Sequence, residues 1–169
     1  GADINGEASG DESGQSVSLS SDGTIVAIGA LYNDGNGSDS GHVRVYKNIS
    51  GTWTQLGLDI NGEAAYDESG YSVSLSSDGT IVAIGAYGND GNGSSSGHVR
   101  IYEYSGSSWS HLGGDINGEA AFDYSGRSVS LSSDGTIVAI GAHLNDGNGS
   151  SSGHVRVYDI QTPVISSVS

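Results

Sequence analysis

The sequence predicts an all-β protein made of β-propeller blades, as three four-stranded antiparallel repeats of 56 residues. The pattern of residues 3–46 recurs at 59–102 and 115–158, so the period is fixed. Each copy contains short apolar runs that alternate with turn residues, and no segment has helical periodicity. Periods of this size are typical of propellers and solenoids.

Each repeat contains four predicted strands, which in the first copy lie near 16–20, 24–30, 42–47 and 52–56. The first and third alternate apolar and polar residues, as half-buried strands do, whereas the second is a continuous apolar run. Asp22-Gly23 lies between the first two strands, and Asp-Gly with positive φ at both residues favours a tight hairpin. A tryptophan, Trp53 or Trp109, marks the fourth strand. Four antiparallel strands repeated radially form a propeller blade.

The segments SGYSVSLSSDGTIVAIGA and GHVRIY resemble the FG-GAP repeat, which runs Phe-Gly-x-Ser-Val, a VGAP-like strand end, then Gly-x-Val-x-Val-Tyr. The resemblance covers residues 3–158 and is strongest to bacterial FG-GAP-like repeats with a tryptophan in the fourth strand. It implies an integrin-α-like β-propeller, usually seven-bladed, extracellular and used for adhesion or ligand binding.

This chain departs from the family pattern at two places. Ser-Gly replaces Phe-Gly, as at Ser69-Gly70, and the hairpin that carries the family's calcium loop has shrunk to one carboxylate, such as Asp78. Calcium takes six to eight oxygen ligands, which one carboxylate cannot supply. The inherited calcium site is therefore absent.

Three blades are fewer than the roughly four to eight of closed propellers. We expect blades at 3–58, 59–114 and 115–158, then a C-terminal strand or a linker to a following domain at 159–169. The sequence predicts an incomplete ring, or part of a larger propeller or assembly. Because Gly1 lies inside a repeat, we expect the true N-terminus to be missing.

The charge excludes some classes of partner. The chain has 20 acidic residues and five Lys and Arg, a net charge of −15. Nucleic acids and anionic membranes need cationic surface, so neither is an expected partner. No apolar run approaches the roughly 20 residues of a membrane helix, and the absence of cysteine excludes disulfides. We expect an extracellular or cell-surface location, with a protein, a carbohydrate or further copies of the chain as partner.

Loops that precede the first strand and loops between the second and third strands share one end of a blade, because strands alternate in direction. This rule assigns most acidic residues to that face. The three copies differ mainly in these loops, where aromatic residues recur. The candidate ligand-binding residues are Tyr32, Tyr66, Tyr71, Tyr87, Phe122, Tyr124, Arg127 and His143. A constant scaffold with varied aromatic loop tips favours a recognition surface; unconstrained drift of exposed loops is the alternative.

The stretch DINGEAAYD places oxygen-bearing side chains at its first, third, fifth and ninth positions, a spacing similar to that of calcium loops. Ca²⁺ is therefore the candidate cofactor. The candidate ligands in the three copies are Asp3, Asn5, Glu7 and Asp11; Asp59, Asn61, Glu63 and Asp67; and Asp115, Asn117, Glu119 and Asp123. The alternative is a copied polar turn, in which the isoleucine at the second position indicates that Asp-Ile-Asn ends a strand.

Two further residue types recur once per repeat. We interpret His42, His98 and His154 as packed or hydrogen-bonded structural residues, with zinc binding as the less favoured alternative. The arginines two residues later are expected to pair with carboxylates of the next blade.

We expect no enzyme, because acids copied into every repeat are architectural whereas an active site is normally unique. The predicted function is an extracellular binding or adhesion module that presents an acidic, aromatic-decorated loop face to protein or glycan ligands. The alternative is a structural repeat unit of a surface fibre or stalk.

Overall fold

The computed structural model describes residues 3–160. These residues form thirteen β-strands and no helix, which confirms the all-β prediction. In the first repeat, the ends of the four predicted strands differ from the prediction by no more than two residues. The strands are β1 (Ser16–Leu19), β2 (Ile25–Ala30), β3 (His42–Ile49), β4 (Thr52–Gln55), β5 (Ile60–Asn61), β6 (Ser72–Leu75), β7 (Ile81–Ala86), β8 (His98–Tyr104), β9 (Trp109–His111), β10 (Ile116–Asn117), β11 (Ser128–Leu131), β12 (Ile137–Ala142) and β13 (His154–Asp159).

The strands form three antiparallel sheets, one for each repeat. The first sheet has the order β1-β2-β3-β4, and the second sheet has the equivalent order β6-β7-β8-β9. The third sheet consists of β11-β12-β13 within residues 3–160. The register is the same in successive sheets, since Ser16 pairs with Gly29 and Ser72 with Gly85.

Two short strands correct the predicted blade boundaries. β5 pairs with β3 through Asn61 opposite His42 and Ile60 opposite Val43. Ile60 and Asn61 therefore belong to the first sheet, although the sequence analysis placed them in the second blade. β10 joins the second sheet in the same way. The Ile-Asn part of this segment thus forms a short strand in the second and third copies, as its hydrophobic position indicated, and it adds to the preceding sheet.

The hairpin between β1 and β2 is present, but its turn differs from the predicted type. Only Gly23 of the Asp-Gly pair has positive φ (70°). The loop is closed by the backbone pair Ser20 N–H to Ile25 O at 2.9 Å. Within this four-residue loop, the Gly23 N–H also donates to Ser20 O at 2.9 Å, and a loop of this length does not require positive φ at Asp22. The Asp22 carboxylate accepts hydrogen bonds from the Ser20 hydroxyl and the Thr24 N–H. The same bonds recur around Asp78 and Asp134.

The three sheets pack against one another in sequence order, and their first strands are neighbours. β1 lies against β6, and β6 lies against β11. The serines of these strands link the sheets, because Leu75 N–H donates to Ser18 Oγ (3.0 Å) and Leu131 N–H donates to Ser74 Oγ (2.9 Å). Buried aliphatic side chains fill the space between the sheets: Ile25, Ala27, Val43, Val45, Val82 and Ile84 between the first and second, and Ile81, Ala83, Val99, Ile101, Val138 and Ile140 between the second and third.

The predicted C-terminal strand or linker begins at residue 159. Asp159 is the last residue of β13. Residues 161–169 lie outside the described part of the chain.

Candidate functional site

The loops that enter each sheet lie against loops of the preceding repeat. Tyr66 N–H donates to Ser38 O (2.8 Å), and Glu68 N–H donates to Asp39 O (3.1 Å). In the next pair of repeats, Phe122 N–H donates to Ser94 O at 2.8 Å. As predicted, the loops that precede the first strand and those that follow the second strand therefore share one face of the molecule.

Five of the eight candidate ligand-binding residues meet on this face, and we call them the aromatic cluster: Tyr71, Tyr87, Tyr124, Arg127 and His143. Tyr71 and Tyr87 pack edge to face with ring centroids 4.6 Å apart. The Tyr124 ring lies 5.7 Å from Tyr87 and 6.0 Å from His143. The cluster joins the second and third repeats beside the first strands of their sheets.

Arg127 lies at the centre of the aromatic cluster. Its guanidinium carbon is 5.4 Å from the ring centroid of Tyr71 and 5.6 Å from that of Tyr87, within cation–π range. Its Nη1 is 3.3 Å from His143 Nε2. Arg127 and His143 are exposed, whereas the tyrosines are half-buried. The rings therefore form a supported platform on which a planar cation already stacks.

A carboxylate lies beside this platform. Burial, and next the adjacent Glu68 carboxylate, raise the pKa of Tyr87 above its ordinary value. Glu68 also raises the pKa of Tyr32, which extends the patch into the first repeat. One oxygen of Glu68, Oε2, is buried and has no hydrogen-bond partner. Acidic and aromatic side chains therefore adjoin each other here.

Tyr66 and Phe122 do not join the cluster. Both occupy loop tips with positive φ (67° and 64°) and are more than half exposed. Neither ring contacts another ring in residues 3–160. They are equivalent positions in successive repeats, held by the loop hydrogen bonds of their own N–H groups.

The four candidate calcium ligands of one loop have different partners in the structure and do not converge on one point. In DINGEAAYD, Asp59 accepts a hydrogen bond from Gln55 (2.6 Å), on the first sheet. Glu63 faces Arg100 of the second sheet. Asp67 is buried and accepts hydrogen bonds from Ala64 N–H and Asn89 Nδ2. Asn61 lies on β5.

The other two loops repeat this distribution. Asp11 and Asp123 accept the bonds equivalent to those of Asp67, and Asn117 lies on β10. Within residues 3–160, the carboxylates of a single loop do not form a group whose ligand atoms all lie within 4.8 Å of one another. Calcium binding by one loop stays a prediction, and the geometry does not gather the ligands for it. In the loop between β2 and β3, the Asp34 carboxylate accepts a hydrogen bond from the Asp39 N–H and closes a turn, while Asn36 Nδ2 donates to Gly62 O of the next repeat.

The structure instead forms two groups that sequence reasoning missed. The first group is Glu7, His42 and Asp59; the second group is Glu63, His98 and Asp115. In each group, all ligand atoms lie within 4.8 Å of one another. The glutamate and histidine come from one repeat and the aspartate from the next. The sequence contains a signal for these groups only if acidic residues of successive repeats are considered together, rather than those within one loop.

The arginines of the third strands pair as predicted only in part. Arg44 contacts Glu7 (3.4 Å) and donates to Asn5 O (2.8 Å). Glu7 lies in the loop that enters the arginine's own sheet, not in the next blade. The prediction was wrong for Arg44, because the loop that precedes β1 passes over β3 of the same sheet. Arg100 does both, as it contacts Glu63 and also Asp115 of the following repeat.

The described residues 3–160 contain no helix of the length and apolar character that a membrane crossing requires.

Comparison with known proteins supports the repeat interpretation. The family model described as the FG-GAP repeat matches residues 5–46, 61–102 and 117–158. The comparison with curated proteins found no match.

Two solved structures match most of this chain. Hydrazine synthase from Kuenenia stuttgartiensis is 16% identical with a TM-score of 0.50, over 85% of this chain and 44% of that chain. A hypothetical selenium-binding protein from Sulfolobus tokodaii is 12% identical with a TM-score of 0.48, over 80% of this chain and 35% of that one. The chain therefore spans less than half the length of these proteins. At 16% identity, the similarity to hydrazine synthase bears on the fold alone.

Proposed function

This chain belongs to the FG-GAP repeat family, and from that premise we propose that it is an extracellular or cell-surface binding module without enzymatic activity. The ligand is a protein or a glycan, held on the acidic loop face. The observation that carries the proposal is the aromatic cluster, in which side chains that vary between repeats converge on one platform.

The chemistry of the cluster supports a binding role. Tyrosine rings offer apolar faces for stacking together with hydroxyl groups for hydrogen bonding, which suits exposed contact surfaces. Arg127 shows that the platform accepts a guanidinium. Glu68 and the neighbouring acidic loops provide acceptors for sugar hydroxyls or for basic side chains of a protein. Few residues carry most of the energy of an interface, and tyrosine and arginine are frequent among them.

Substitution on the platform tests the proposal. Binding is first located on a glycan array and by pull-down from surface proteins, and its affinity is then measured by calorimetry. Tyr71→Ala and Tyr87→Ala should each weaken binding by about 30-fold, the factor that corresponds to about 2 kcal/mol. Tyr104→Ala is the matched control. It also removes a tyrosine, but Tyr104 is the last residue of β8 and its ring contacts Trp109 rather than the aromatic cluster. Equal affinity in the cluster variants and the control would contradict the assignment of this surface.

A structural role in an assembly is the second candidate, and a separate observation favours it. Val155 and Val157 of β13 are 66% and 64% exposed, although the equivalent valines Val43 and Val45 of β3 are buried. These side chains form an apolar sheet face of the kind that covers a neighbouring sheet elsewhere in the chain. Concentration-dependent association in light scattering, abolished by Val157→Asp, would support this role. A monomer at all concentrations would remove it.

A further inference from the structure

We propose that the second group, Glu63, His98 and Asp115, binds a divalent transition-metal ion such as Zn²⁺, and that the first group, Glu7, His42 and Asp59, forms an equivalent site one repeat earlier. Each ion would link three segments: the third strand of a sheet, the loop that precedes the first strand of that sheet, and the start of the next repeat.

The histidine–glutamate distances within the groups are slightly longer than those between two ligands of one zinc ion. His98 Nδ1 lies 3.7 Å from Glu63 Oε2, and His42 Nδ1 lies 3.8 Å from Glu7 Oε2. Both separations exceed the 2.7–3.2 Å of a hydrogen bond. Two ligand atoms at about 2.1 Å from a tetrahedral zinc ion lie about 3.4 Å apart. Small side-chain shifts therefore bring each pair to the edge of a zinc coordination tetrahedron.

A buried and unpartnered atom points into the second group. His98 is 2% exposed, and its Nδ1 has no hydrogen-bond partner within the described residues. A buried polar atom without a partner is costly, so an ion that uses its lone pair would remove that cost.

The charge of each group also fits a divalent cation. Asp115, Glu63 and Asp67 surround His98, and Arg100 is the cation among them. The Arg100 contacts with Glu63 and Asp115 are long, at 3.6 and 3.3 Å, and its Nε lacks a hydrogen-bond partner. Glu63 Oε2 faces the histidine rather than the arginine. One guanidinium therefore leaves a net negative charge for the ion.

The donor set favours a transition metal over calcium. Imidazole nitrogen with carboxylate oxygen suits zinc, whereas calcium takes only oxygen ligands in larger number. The three protein ligands of each group leave the fourth position of a zinc tetrahedron for a water molecule. Two members of the first group, Glu7 and Asp59, line a surface depression together with Gln55, Gly57, Leu58 and Asn61.

The two groups differ at one neighbouring residue. In the second group, His111 Nε2 lies 3.6 Å from Asp115 Oδ1, whereas in the first group the equivalent Gln55 donates to Asp59 at 2.6 Å. We assign His111 as a positioning residue that orients Asp115. The second site should therefore bind more tightly than the first.

The experiment is calorimetric titration of the untagged protein with Zn²⁺, together with visible absorption of the Co²⁺ form, which reports tetrahedral coordination. We expect two ions per chain. His98→Ala and His42→Ala should each remove one ion. Loss of an outer partner costs about 10- to 100-fold in metal affinity, so loss of a ligand should cost at least about 100-fold. His111→Gln should weaken the tighter site by about 10-fold.

His154→Ala is the matched control. His154 pairs with Glu119 at 3.5 Å, yet this pair belongs to no group of three in residues 3–160, so both ions should remain. If His98→Ala fails to fold, Glu63→Gln and Asp115→Asn test the same site at more exposed positions.

Two results would overturn the proposal. In the first, millimolar Mg²⁺ displaces all bound Zn²⁺, which would show that the ions bind a diffuse acidic surface rather than the two groups. The other is unchanged binding in the His42→Ala/His98→Ala double variant, which would place the ions elsewhere.

Discussion

The second and third sheets contain the same strand sequence, IVAIGA, in different surroundings. In β7 all six residues are buried, whereas in β12 Ile137 is exposed and Ala139 is half-buried. On the neighbouring strand, Val99 is buried and the equivalent Val155 is 66% exposed. The second sheet lies between two others, while within residues 3–160 only one face of the third sheet is covered. Burial in this fold therefore depends on the neighbouring repeat as much as on the strand itself.

The largest effect should come from a glycine at which successive repeats touch. A Cβ on Gly85 would collide with the backbone oxygen of Gly126, whereas at Gly141 it would meet only the side chain and carbonyl of Ser128. Because a backbone atom cannot move aside cheaply, Gly85→Ala should lower the free energy of unfolding by about 3 kcal/mol. Gly141→Ala should change it by less than about 1 kcal/mol. Urea denaturation measures both, and equal losses would break the comparison.

The valines test the burial difference directly. Val99→Ala removes two methyl groups from the core between the second and third sheets, and should destabilise the protein by about 2 kcal/mol. Val155→Ala removes the same groups from an exposed face, and should cost less than about 0.5 kcal/mol. Chemical denaturation of dilute protein gives the two values. A comparable loss at Val155 would show that another surface covers this face in solution.

The tryptophans extend the comparison to the first sheet. Trp109 Nε1 donates to Leu56 O of the preceding repeat at 2.8 Å. Trp53, the equivalent residue, makes no side-chain hydrogen bond in residues 3–160. Trp109→Phe should therefore destabilise the protein by about 1 kcal/mol more than Trp53→Phe. Thermal unfolding followed by circular dichroism measures the difference, and identical losses would contradict the role of this bond.

The smallest expected effect is electrostatic and depends on pH. Hydrogen bonds from the Ser76 hydroxyl and the Thr80 N–H hold the pKa of Asp78 below its ordinary value of 3.8. Such a carboxylate stabilises the folded state above the unfolded-state pKa, and this contribution is lost as pH falls through the folded-state pKa. Asp78→Asn should therefore lower the urea midpoint at neutral pH but not in strong acid. The same should hold for Asp134→Asn, whose carboxylate has the same partners in the third sheet. A pH-independent difference would be inconsistent with this origin.

Local patterns were sufficient for the repeats, the strands and the shared loop face. Alternation and apolar runs act over a few residues, so β1 to β4 lie where the sequence predicted them. The convergence of Tyr71, Tyr87 and Arg127 was only partly predictable. Their loops could be assigned to one face, but the ring contacts depend on how the second and third sheets are placed. Tyr66 has the same residue type on the same face and remains outside the cluster.

The sequence by itself determined a periodic all-β chain, because side-chain alternation and turn residues specify strands locally. Only the tertiary structure decided which carboxylates meet. β5 carries Asp59 to the first sheet, while Glu63, four residues later, turns toward His98 of the second. Residues that adjoin in one loop are thus divided between two groups, and residues 52 positions apart, Glu63 and Asp115, are brought together. The physical reason is that strand pairing between repeats, rather than proximity along the chain, directs where each backbone segment runs.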